Sequence, residues 1–270
     1  MIDKSFIFLA GHHRSGTSLL HEIIREHPLV SGFSQTGVPE DEGQHLQFVY
    51  KPAKAFGGPG KYIFDKNSYM NECHALATEQ SAEEIMKQWG QHYDPKCPHF
   101  VEKSPPNIIR TRFLQKLFPN SRFIVILRHP IAIAYATRKW SRTSIKSLVD
   151  HSLRGYETFE NDMPHLRHVY VLRYEDFVRS PRESIHEVFQ FLRLHNISIQ
   201  HEIRSNVNEK YFSMWRKDRR NFLKRLRFPI DDELEERANR FGYSIKDCER
   251  LLPTPILGEH DMYSDRAQDS

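Results

Sequence analysis

Eight consecutive residues, Gly11-His12-His13-Arg14-Ser15-Gly16-Thr17-Ser18, set two glycines, a guanidinium and three hydroxyls directly behind an apolar run. Glycines at this spacing let the backbone wrap an anion, and the amides that open the following helix point at it. The segment reads as an anion cradle, with Arg14 as its cation and His13, Ser15, Gly16, Thr17 and Ser18 as further contacts. Three more groups stand at or just past the ends of later apolar runs: Lys103, Arg128 and Tyr174. Groups at the carboxyl ends of strands in an open α/β sheet share one cleft, which places all four segments together. A triphosphate-binding loop would read GxxxxGK[ST]; here Thr17 fills the lysine slot. Arg128 stands where a metal-anchoring carboxylate is wanted, and Asp176 is the one later candidate for that part. A kinase or triphosphatase is therefore the alternative reading.

The elements that must position these groups are legible as apolar runs. Residues 6–10, 30–33, 100–102, 123–127 and 168–172 read as strands, two of them uninterrupted as expected of parallel strands buried on both faces. Helical stretches at 18–27, 107–118, 130–139 and 180–191 alternate with them. The last of these has Ser180 as N-cap, Pro181 at the first position and Glu183 at the third, a capping-box pattern. Strand and helix in alternation predict a single α/β domain over residues 1–258, with a central parallel sheet flanked by helices. Residues 35–71 break the pattern and read as a long insertion or lid, with a helical piece at 43–50. Residues 259–270 are polar and read as a flexible tail.

Composition narrows the class. The 270 residues carry 39 Lys and Arg against 35 Asp and Glu, a net charge of +4, which excludes a strongly basic nucleic-acid binder. The three cysteines, Cys73, Cys97 and Cys248, form no CxxC pair, so neither a disulfide framework nor a zinc ribbon is expected. A reducing, cytoplasmic compartment is the simpler expectation. His92, Cys97 and His99 fit no usual zinc spacing, and no metal is expected. No apolar run approaches the ~18 residues of a membrane span, and no basic leader precedes the first apolar run, so neither a span nor a signal peptide is expected.

Four segments in order resemble the sulfotransferases that use 3′-phosphoadenosine 5′-phosphosulfate (PAPS). RSGTSLL after a strand resembles their 5′-phosphosulfate loop, and Glu102-Lys103-Ser104-Pro105 their lysine-containing strand end. Arg128-His129-Pro130 before an Ala-rich helix resembles the 3′-phosphate motif, and Arg173-Tyr174-Glu175-Asp176-Phe177 the RYED segment. The likeness spans roughly residues 5–195, and RSGTS with His27-Pro28 after the first helix is closer to the tyrosylprotein and bacterial branch. It implies a P-loop-like fold, PAPS as donor with 3′-phosphoadenosine 5′-phosphate (PAP) as product, and in-line sulfuryl transfer without a metal. It also assigns roles: Arg14 to the 5′-phosphate, Lys103 to the sulfuryl or bridging oxygen, and Arg128 to the 3′-phosphate. Tyr174 either lies near the adenine or packs. The C-terminal Arg216 and Lys217 either close over the 3′-phosphate or form a solvated face. The family's serine eight residues after Arg128 is Ala136 here, so either Thr137 substitutes or that contact is lost, and a non-catalytic nucleotide-binding homologue becomes a further alternative.

The acceptor hydroxyl must lose a proton to a base. The histidine slot of the aryl-type enzymes, two residues after the lysine, is Pro105 here. Golgi-type enzymes use a glutamate after the first helix, and Glu40, Glu42 and, less directly, His45 stand in that loop. The aromatics of the insertion suit a small-molecule, glycan or lipid hydroxyl without choosing among them.

Overall fold

The computed structural model describes residues 4–198 and 201–261. Six strands form one sheet in the order β2-β3-β1-β4-β5-β6: β1 (Ser5–Gly11), β2 (Val30–Gly32), β3 (His99–Lys103), β4 (Ser121–Leu127), β5 (His168–Arg173) and β6 (Gly258–Asp261). The first five run parallel. Along β1, Phe6, Phe8 and Ala10 enter one core layer, while Ile7 and Leu9 enter the other. That two-residue alternation with both faces covered is why the run carries no polar residue.

On the first face lie α2 (Glu79–Trp89), α3 (Thr111–Leu117), α4 (Pro130–Ser141) and α5 (Ile145–Asp162), with an aromatic cluster of Phe6, Phe118 and Trp89 in its core. On the second lie α1 (Thr17–Arg25), α6 (Tyr174–Arg179) and α7 (Pro181–Leu192). The C-terminal part adds α8 (Glu209–Arg220), α9 (Phe222–Arg227) and α10 (Asp232–Arg240), which pack through Tyr211, Trp215, Leu234 and Ala238 onto the first face.

The structure departs from the sequence expectation in several places. The helix expected at 107–118 is a 3-10 turn over Pro105–Ile109 followed by α3, because Arg110 leaves helical geometry between them. The helical piece expected at 43–50 shrinks to a 3-10 turn at Gly43–His45. There the Gln47 carboxamide accepts from the Val49 and Tyr50 amides, so side-chain bonds replace the helical ladder. The capping box at Ser180 does not form: no side-chain cap bond is made, and the Ser180 amide closes α6 by donating to Asp176 O. The expected tail begins inside the sheet, since Gly258–Asp261 pair antiparallel with β5 and cover its edge, so the sheet is mixed. The remainder of that tail, 262–270, lies outside the described residues.

Candidate active site

The loop between β1 and α1 folds as the glycine spacing requires. Gly16 has φ +106, and a Cβ there would meet the Tyr174 ring at 2.6 Å, so only glycine fits both the backbone and the neighbour. Arg14 also sits in the left-handed region at φ +68, a local strain of the kind that collects at functional sites. Its guanidinium lies over the exposed Trp140 ring at 5.3 Å. The start of α1 opens onto a cleft of about 230 Å³. His13, Arg14, Gly16, Thr17 and Ser18 line it from the loop, Glu40, Glu42 and Pro105 from the opposite side, and Arg128, Tyr174 and Tyr211 from below.

Arg128 is held by a relay that reaches to the C-terminal part. Its Nε and Nη2 donate to Asn208 Oδ1 at 2.9 and 2.6 Å, and Nη1 donates to the Arg14 carbonyl. Asn208 Nδ2 in turn donates to Glu175 Oε1 at 2.7 Å, which fixes the amide's orientation. Glu175 is further held by the His129 amide and the Tyr243 hydroxyl. Burial pushes the Glu175 carboxyl up from its usual range, and these donors and Arg128 pull it back. The guanidinium also stacks on Tyr174 at 4.1 Å.

The opposite wall is built around two carboxylates from β3 and the irregular loop. Glu102, fully buried, accepts from the Gly43 amide at 3.0 Å, from Asn107 at 2.7 Å and from the Ser104 hydroxyl. This pins the loop, and a Cβ on Gly43 would meet Glu102 at 2.6 Å. The next residue of the strand, Lys103, points the other way in the pleat: Nζ donates to Glu40 O at 2.7 Å and lies 3.7 Å from Glu42 Oε1. Glu40 and Asp41 adopt consecutive left-handed conformations, with φ +54 and +48, and the Asp41 carboxylate stabilises this turn by accepting from the Gln35 and Thr36 amides. Glu42 is buried, accepts from Gln44 Nε2 and stands 3.7 Å from His45 Nε2. Desolvation raises its pKa to about 7, against the opposing pull of Lys103 and Gln44. A carboxylate poised there can take a proton at neutral pH.

Of the residues anticipated from sequence, His13, Arg14, Gly16, Thr17, Ser18, Glu40, Glu42, Arg128 and Tyr174 share the cleft. Lys103 and His45 flank Glu42 without lining it. Ser15 is tucked beneath the loop, with an unpartnered hydroxyl. Thr137 is buried in α4, its hydroxyl also unpartnered and not on the cleft wall. Arg216 is tied into ion pairs with Glu209 and Glu249, and Lys217 is likewise absent from the cleft, because α8 presents Tyr211 rather than its basic end to the site. His12 packs under the loop with Nε2 against Ser152 O at 2.9 Å, and burial lowers its pKa to about 4 and that of His13 to about 3. Asn208, Glu102, Trp140 and Tyr211 have no role in the sequence reading; the EKSP segment could have drawn attention to Glu102, but nothing local distinguishes Asn208. Asp176, the candidate metal anchor of a triphosphatase, pairs with Arg173 and Arg179.

A family model for the sulfotransferase family matches residues 6–197, and the chain belongs to that family. Its fold is similar to the sulfotransferase domain from the curacin biosynthetic pathway (15% identity, 93% of this chain and 99% of that one, TM-score 0.53). It is also similar to the sulfotransferase domain from the Synechococcus PCC 7002 olefin synthase (16% identity, 90% and 96%, TM-score 0.54). A curated relative, an uncharacterised protein of Aquifex aeolicus (strain VF5), is 25% identical over 209 residues; the match takes in 71% of this chain but only 26% of that protein's length. Among the described residues, no helix is long and apolar enough to cross a membrane.

Proposed function

We propose that the protein transfers a sulfuryl group from PAPS to a hydroxyl acceptor. The observation that carries this reading is the meeting in one cleft of the anion loop, Arg128 and a buried Glu42 beside Lys103. The residues fit a 3′-phosphorylated nucleotide. Three of the five N–H groups of Arg128 are engaged, which leaves two in the cleft for phosphate oxygens. The amides and hydroxyls of Thr17 and Ser18 stand free of any basic side chain in the lysine slot, as suits a donor that needs less charge neutralisation than a triphosphate.

The donor supplies the sulfuryl group: its S–O bond to the 5′-phosphate breaks as the acceptor oxygen bonds to sulfur. This chain's residues then divide the remaining work. Arg14 and the opening amides of α1 hold the 5′-phosphate and the charge left on it. Arg128, braced by Asn208, holds the 3′-phosphate. Glu42 accepts the acceptor's proton, and Lys103, whose ammonium lies 3.7 Å from it, orients it. Pro105 stands on the wall at the position where a histidine base would be needed for the other arrangement. Glu42, buried and near-neutral, is thus preferred over Glu40, whose carbonyl rather than carboxylate meets Lys103. The acceptor is a small-molecule, glycan or lipid hydroxyl.

Transfer of labelled sulfate from PAPS to a panel of hydroxyl compounds tests the reading. Turnover by the native chain that is lost in Arg14→Ala supports it. Phosphoryl transfer from ATP with none from PAPS sinks it.

A further inference from the structure

Residues 216–227 hold seven Lys or Arg and a single acid, Asp218. Their net charge of +6 exceeds the +4 of the whole chain, so the rest of the molecule is net acidic. The same segment carries an apolar stripe. In α9, Phe222, Leu223 and Leu226 are 62%, 65% and 60% exposed, and their i, i+1, i+4 spacing puts them on one face. Every residue from 221 to 227 is exposed, and nothing among the described residues covers the stripe.

The helix is nonetheless built to stand where it does. The Trp215 and Phe228 rings meet in a tilted contact at 5.3 Å, and Arg219 Nη1 donates to Phe228 O at 2.6 Å. Asn221 caps it through the Lys224 amide, and Lys224 Nζ reaches Asp218 at 2.6 Å. Arg138, exposed near the end of α4, acts on the same Asp218 and extends the basic rim. The helix is thus braced yet exposed, with three large apolar side chains at its surface and seven Lys or Arg against one acid over residues 216–227.

We propose that α9 and the basic end of α8 form a docking face for an anionic membrane surface. Phe222, Leu223 and Leu226 enter the headgroup–acyl boundary, and the long Lys and Arg stems reach lipid phosphates and carboxylates around them. The pairing of an apolar stripe with a basic rim matches a bilayer, which offers an acyl boundary and negative charge side by side. This face does not depend on the sulfuryl-transfer reading and lies outside the cleft.

Co-sedimentation of the full chain with vesicles tests it. At about 0.1 M salt, binding to phosphatidylcholine vesicles containing about a third phosphatidylserine exceeds binding to pure phosphatidylcholine at least about tenfold, and about 1 M salt removes that preference. The combined substitution Phe222→Ala, Leu223→Ala and Leu226→Ala weakens binding about tenfold, and Arg220→Glu with Arg225→Glu and Arg227→Glu weakens it further. Both leave the melting temperature unchanged, since all six side chains are exposed. Equal binding to neutral vesicles, no binding to either, or undiminished binding by the alanine variant overturns the proposal. Affinity for soluble polyglutamate without affinity for vesicles overturns it in favour of an acidic protein partner.

Discussion

The two walls of the cleft are made in different ways. The loop side rests on strand ends: Gly11 closes β1, Arg128 follows β4 and Tyr174 follows β5, so each group is placed by a rigid element buried on both faces. The Glu42 side is an irregular loop with left-handed turns, held by a buried carboxylate at Glu102 and an ammonium at Lys103. The first wall gathers positive charge for an anion. The second keeps a carboxylate out of water so that it holds its proton up to about neutral pH. A rigid cradle suits a ligand of fixed shape, whereas an irregular loop carrying the proposed base, Glu42, can be remade for different acceptors without disturbing the cradle.

If the walls act separately, they fail separately. The largest expected effect is on the Glu42 wall: Glu42→Gln lowers kcat about 10²–10⁴-fold, with PAP affinity unchanged by calorimetry. Glu40→Gln stays within about threefold of the native rate, because its carboxylate is exposed and only its carbonyl meets Lys103. Equal losses in both variants would break the assignment of the base.

The pH profile gives the next effect. Glu42 must be ionised to accept a proton, and its pKa is raised to about 7. Rate therefore climbs up to about tenfold per unit below that pH and levels above it, and the limb is missing in Glu42→Gln. Stability moves the opposite way. The folded carboxyl keeps its proton to about 7 while the ordinary value is 4.5. Folding thus takes up a proton between those values, and this group's contribution falls as pH rises through the window. Melting curves of Glu42→Gln lack that fall.

On the cradle wall, Asn208→Ala removes the acceptor that holds two donors of Arg128 and weakens PAP binding about tenfold, in line with ~1.5 kcal/mol for a hydrogen bond to a charged group. Unchanged affinity would separate Asn208 from the site. The smallest effect is structural: Gly43→Ala forces a Cβ against Glu102 and costs about 1–3 kcal/mol, read as a melting temperature several degrees lower.

The contrast between the walls also decides what the sequence could tell. β1 and β4 are legible because strands covered on both faces leave continuous apolar runs, and Lys103 and Arg128 follow from them by position. The relay behind Arg128 is not legible, since Asn208 lies 80 residues from Arg128 and 33 from Glu175, and only tertiary packing joins them. Glu40, Glu42 and His45 are visible as a cluster of candidates, but their ranking depends on burial and on the direction Lys103 takes from the pleat. Arg216 and Lys217 carry the right charge at the wrong end of α8: composition marks a basic cluster, and only the packing of Tyr211 and Trp215 shows which way the helix presents it.

A cleft made for a 3′-phosphorylated nucleotide takes PAP in preference to a nucleoside triphosphate. Calorimetry of the native chain with PAP and, separately, with ATP and Mg²⁺ tests it most directly. The expected result is saturable binding of PAP that is lost in Arg128→Ala, with ATP much weaker. Tight binding of ATP and Mg²⁺ with no response to PAP would contradict it.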